Sequence, residues 1–98
     1  MAEISLQNYQ QKLDQLLHDQ MVEEAIHHAH HILKHYPKNI GAYRGLGLAL
    51  MMRSRWSEAC EVFQRLLGAL PRDFTAHHEL SLAYEQLGET EKALWHLE

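Results

Sequence analysis

The sequence predicts an all-α chain, an α-solenoid of about three antiparallel helix hairpins. Apolar residues recur with helical spacing through most of its 98 residues. Short polar breaks and two prolines interrupt them, and corresponding residues return at an interval of 34. Pro37 and Pro71 are 34 residues apart, as are Ala25, Ala59 and Ala93 in turn. Asn39 and Asp73, each a candidate N-cap just after its proline, keep the same offset. An interval of this length means stacked supersecondary units, each too small to bury its own apolar face.

Taken in order, the first helix is expected over about Leu6 to His18, with Ser5 as its cap and Tyr9, Leu13 and Leu16 turned inward. The second, from about Met21 to His35, puts Val22, Ala25, Ile26, Ala29, Ile32 and Leu33 on one arc. Tyr36-Pro37-Lys38 ends it, because the residue before a proline is driven out of the helical region. Residues 40–73 give the clearest pattern. Tyr43, Leu46, Gly47 and Leu50 recur at i, i+3, i+4 and i+7 on a third helix, and Ala59, Val62, Phe63, Leu66 and Leu67 line a fourth. Arg53-Ser54-Arg55 is a polar link of the length that joins antiparallel helices. A fifth helix runs from about Phe74 to Leu87 and stops at Gly88, a left-handed C-cap. A sixth starts near Thr90, and the repeat offset carries it past Glu98. The chain is therefore read as a piece of a longer repeat protein, with an abbreviated natural cap or a covering partner as the alternatives.

A helix-turn-helix unit carrying Tyr43, Leu46-Gly47, Ala59, Phe63 and a closing Pro71 resembles the tetratricopeptide repeat. The third copy keeps Leu80, Tyr84, Gly88 and Ala93, with Ser81 at the small position. The first keeps Ala25 and Pro37 but has Leu13 in place of that glycine, so its hairpin is expected to pack less tightly. The resemblance covers residues 6–98 and implies one domain, 1–98, with repeats at about 6–39, 40–73 and an incomplete 74–98.

The resemblance further implies a right-handed superhelix in which the first helix of each hairpin lines a concave face. Arg44, Leu48, Met51 and Met52 would then border a groove, with Gln10 and Asp14 of the first helix and His78, Leu82 and Glu85 of the fifth as neighbours. The residues themselves point the same way, since Leu48, Met51 and Met52 lie outside the core face of the third helix and methionines suit adaptable contact with an apolar ligand helix. Packing between repeats that simply buries Leu48 and Met52 accounts for the same pattern, and both readings stay open. Some members of the family clamp C-terminal carboxylates with Lys, Asn and Arg on this face. Here Gln10, Asp14, Leu48, His78 and Leu82 occupy those places, so that clamp is missing and Asp14 would repel such a peptide.

At 46% hydrophobic and 22% charged residues, with two prolines and five glycines, the composition suits one globular helical domain. Residues 1–50 hold four Lys or Arg against five Asp or Glu, and residues 51–98 five against eight, which divides the net charge of -4 into -1 and -3. No basic cluster exists to hold a phosphate backbone, which removes nucleic acid as a partner. MAEISLQNYQ has neither a basic leader nor an apolar core, and no later run approaches the roughly 18 apolar residues of a membrane span. A cytoplasmic location is expected, in agreement with the single cysteine.

Six of the nine histidines fall between His18 and His35. His27, His31 and His35 form a stripe opposite the core arc of the second helix, with His28 and His30 on its flanks, so the histidines are expected to face away from the core. Pairs at i and i+4 are half-sites for a divalent metal. No cysteine or carboxylate nearby completes a set, and a solvated face is the simpler reading, with a pH-responsive contact surface as a third. No cofactor is implied. His77, in register with Tyr43, is expected to be structural, and Cys60, beside Ala59 in an apolar helix, to be a buried inert thiol. Gly45 and Gly47 each cost about 1 kcal/mol within a helix relative to alanine, and close approach of the partner helix to Gly47 is the expected offset. The function reads as a non-catalytic scaffold binding a peptide or amphipathic helix in the concave groove. Self-association through Ala93, Leu94 and Leu97, giving a homo-oligomer, is the alternative, and metal binding by the histidine stripe the second.

Overall fold

The structure, a computed structural model, describes residues 6–88, with side chains from Asn8 onward. Five helices follow one another: α1 (Leu6–His18), α2 (Val22–His35), α3 (Ile40–Met52), α4 (Trp56–Ala69) and α5 (Phe74–Gln86). No strand occurs among the described residues. The bounds expected for α1, α2 and α5 hold to within a residue. The Ser5 cap, the sixth helix and the self-association residues Ala93, Leu94 and Leu97 lie outside the described residues.

The repeat is written into the turns. Gln20, Ser54 and Gly88, successive positions 34 apart, have φ of 60°, 59° and 79°. This left-handed residue lets the chain reverse after α1 and α3. Met21 N–H then reaches back to Leu16 O at 2.9 Å and Arg55 N–H to Leu50 O at 2.9 Å, the six-to-one bond of a Schellman end. Only the third copy uses glycine, so Gln20 and Ser54 hold a backbone shape that their Cβ atoms oppose.

The links between hairpins repeat as closely. Asn39 Oδ1 accepts the Ala42 N–H at 2.7 Å, and Asp73 Oδ2 accepts the Ala76 N–H at 2.9 Å. Tyr43 OH donates to the Pro37 carbonyl at 3.0 Å, while His77 Nε2 donates to the Pro71 carbonyl at 2.7 Å. Two chemically different side chains thus brace the same loop, and His77 is structural as expected.

α3 sits at the centre and packs against α1, α2, α4 and α5. Its glycines set how closely they approach. A Cβ on Gly47 would lie 2.5 Å from Cζ of the fully buried Phe63, so the close approach expected at Gly47 is the seat of that ring on α4. A Cβ on Gly45 would lie 2.5 Å from Cδ2 of Leu13. Leu13, the large residue at the small position of the first repeat, is therefore accommodated by a glycine of the next hairpin, and it is completely buried. Ile32, Leu66 and Leu80 are buried to the same degree. Each such side chain contributes about 1.5–3 kcal/mol relative to an exposed one. Cys60 is buried among them, 6% exposed.

One expectation needs correcting. His28 does not face away from the protein: it is half-buried, its Nε2 donates to the Tyr9 carbonyl at 2.9 Å, and its ring lies 5.7 Å from that of Tyr9. The reason is that α1 lies across one flank of α2 and covers part of the histidine-bearing surface. His27, His30, His31 and His35 are exposed.

Candidate binding groove

α1, α3 and α5 are the first helices of their hairpins and run side by side, with α3 touching both others. Positions 34 apart therefore present the same face. Toward the C-terminal ends of these helices lies an open depression of about 500 Å³. Leu48, Met51 and Met52 of α3, Leu82 of α5, Leu17 of α1 and Trp56 of α4 give it an apolar lining, joined by Glu79 and Gln86. The lining obeys the repeat: Leu17 and Met51, Leu48 and Leu82, and Met52 and Gln86 are each 34 apart. Met52 is 47% exposed and Leu82 37%, while Leu48, Met51, Leu17 and Trp56 are half-buried. Packing between repeats thus covers Leu48 in part and leaves Met52 open.

The other sequence-predicted groove residues do not line this depression. Gln10 lies against Gly41, on the side of α1 that meets α3. Arg44 Nη2 donates to Asp73 Oδ1 at 2.6 Å, so its guanidinium reaches the start of α5 and is neutralised there. His78 stacks on Phe74, ring centres 5.9 Å apart and planes within 7°, and Phe74 is 81% exposed. Asp14 and Glu85 are exposed. Asp14 is in register with Leu48 and Leu82, and Glu85 with Leu17 and Met51, so both carry the groove's face onto the flanking helices.

Four lining residues were missed from sequence: Leu17, Trp56, Glu79 and Gln86. The offset could have found Leu17 and Gln86, through Met51 and Met52. Trp56 opens α4, a second helix of its hairpin, and a rule confined to first helices cannot reach it.

A second depression, of about 460 Å³, lies on the other flank, where Leu33 of α2 and Val62 of α4 face each other over Tyr43, Leu46 and Leu50. Lys34, Glu58, Glu61 and Arg65 rim it with charges of both signs. The His31 and His35 rings meet edge to face at 4.8 Å, and Tyr9 lies 5.5 Å from His31. Among the described residues no group of three or more His, Cys, Asp or Glu is gathered to hold a metal. None of their helices is long and apolar enough to cross a membrane.

The hairpins, their offset and their caps have a counterpart among known sequences. A profile of the tetratricopeptide repeat matches residues 20–74 and again 54–97. The chain belongs to the tetratricopeptide repeat family. Solved structures agree with that tetratricopeptide architecture. MamA AMB-1 superimposes with a TM-score of 0.85 at 26% identity over 95% of this chain, and MamA MSR-1 with 0.84 at 26% over 94%. A further crystal form of MamA AMB-1 gives 0.79 at 29% identity over 84%. These matches take in 51%, 53% and 48% of the MamA chains, so this chain spans about half their length. No curated protein sequence matches it. Tetratricopeptide arrays serve generally as non-catalytic modules for protein interaction.

Proposed function

We propose that this chain is a scaffold that binds a protein segment, a peptide or an amphipathic helix, in the groove floored by Leu48, Met51, Met52 and Leu82. The observation that supports the reading is an apolar depression left open between packed helices, with Met52 and Leu82 exposed within it. Methionine, unbranched and polarizable, adjusts to the shape of what it meets. Helices leave no unpaired strand edge, so recognition rests on side chains, and an apolar stripe at i, i+3, i+4 and i+7 is the shape that fills such a groove. The reading assigns the chain no reaction and no cofactor. The partner is a protein chain, neither a nucleic acid nor a membrane.

Panning a library of amphipathic peptides of about 15 residues against the protein tests this. The comparison is a Met52→Gln/Leu82→Gln variant, whose exposed positions let the fold survive, with helical circular dichroism as the check. Selected peptides should lose affinity on the variant by about tenfold or more. Undiminished binding removes the groove from the function.

A further inference from the structure

Building on that groove reading, we infer that the segment it takes is cationic, an apolar helix face flanked by lysine or arginine. The chemistry of the rim carries this. Glu79 lines the depression, and Asp14 and Glu85 extend its face in register with Leu48 and Met51. None of these three carboxylates has an ion pair or a side-chain hydrogen bond among the described residues.

Among the described residues the nearby arginines are committed elsewhere. Arg44 is bound to Asp73 at 2.6 Å. Arg53, just after α3, turns to Glu23 of α2 at 3.1 Å, and Arg55 to Glu58 at 2.6 Å. Lys12 is in register with Leu46, which borders the second depression rather than this one. His18 shares the face of Met52 and Gln86 without lining the depression. An apolar floor with an unbalanced acidic rim attracts an apolar segment of opposite charge and rejects an acidic one, through complementarity that salt screens.

The test uses the whole chain and two fluorescein-labelled peptides of equal length. They share leucines at i, i+3, i+4 and i+7 and differ only in bearing lysine or glutamate elsewhere. By anisotropy at low salt the lysine peptide should bind about tenfold more tightly, and the preference should shrink toward parity at about 1 M salt, where the screening length is about 3 Å. A Glu79→Lys/Glu85→Lys variant should reverse it. A glutamate peptide that binds the native chain as well as the lysine peptide overturns the charge inference and leaves the groove reading standing. A lysine peptide whose leucines are replaced by serine and which binds equally well shows diffuse attraction and also overturns the inference. If neither leucine peptide binds, or if Met52→Gln/Leu82→Gln leaves lysine-peptide binding intact, the groove reading falls and takes the inference with it.

Discussion

Arg44 on α3 and Asp73 at the start of α5 form an ion pair of 2.6 Å, and the second carboxylate oxygen of Asp73 accepts the Ala76 N–H that opens α5. One side chain therefore caps a helix and fastens the second repeat to the third. Asp73→Ala removes both functions and should lower stability by about 1–2 kcal/mol in urea unfolding. Asp73→Asn should cost clearly less, because asparagine already caps the equivalent helix at Asn39. Equal losses would mean that the cap contributes nothing beyond the charge.

The turns predict gains as well as losses. Gln20 and Ser54 hold left-handed φ without being glycine. Gln20→Gly and Ser54→Gly should each add roughly 0.5–1 kcal/mol, less the extra freedom that glycine gives the unfolded chain. Ser54→Ala, with the same Cβ, should add nothing. Thermal melts of the three variants decide it, and a glycine variant less stable than native contradicts the strain.

Two glycines separate packing from propensity. Gly47→Ala would drive a methyl into the Phe63 ring and should cost about 1–3 kcal/mol. Gly68→Ala, where nothing lies within 4 Å, should stabilise by roughly 0.4–1 kcal/mol. A double-mutant cycle of Gly47→Ala with Phe63→Leu should show coupling, since the smaller side chain makes room for the methyl.

Acid should act on an exposed pair at the start of α4. The hydrogen bond from Arg55 is the main reason that the Glu58 carboxyl sits below the usual carboxylate range, and the same bond raises Arg55. A carboxyl lowered in the folded state adds stability above its unfolded pKa and loses it as pH falls through its folded value. The difference in melting temperature between the native chain and Glu58→Gln should therefore be present at neutral pH and shrink as acidification protonates the carboxyl. A difference that grows on acidification contradicts the pairing.

How much of this could be read from the residues follows from the range of the interactions. Helices, caps and loops are local, and the offset of 34 placed them: Pro37 with Pro71, Asn39 with Asp73, Tyr43 with His77. The seat at Gly47 was legible because a glycine within an apolar helix needs a reason. Side chains crossing between elements were not. Arg44 pairs with a residue 29 positions on, and His28 is held by the Tyr9 backbone 19 positions back. Nothing in glutamine or serine signals a positive φ, although Gly88 at the same offset marked the place. Trp56 entered the groove from a helix assigned to the other face.

The central claim, that a partner segment lies on Leu48, Met51, Met52 and Leu82, is tested most directly by methyl NMR of the whole chain during titration with the lysine peptide. The methyl resonances of Met51, Met52, Leu48 and Leu82 should move together and saturate, while those of Leu33 and Val62 in the second depression stay in place. Shifts confined to Leu33, Val62 and Leu46, with the two methionines unmoved, would contradict it.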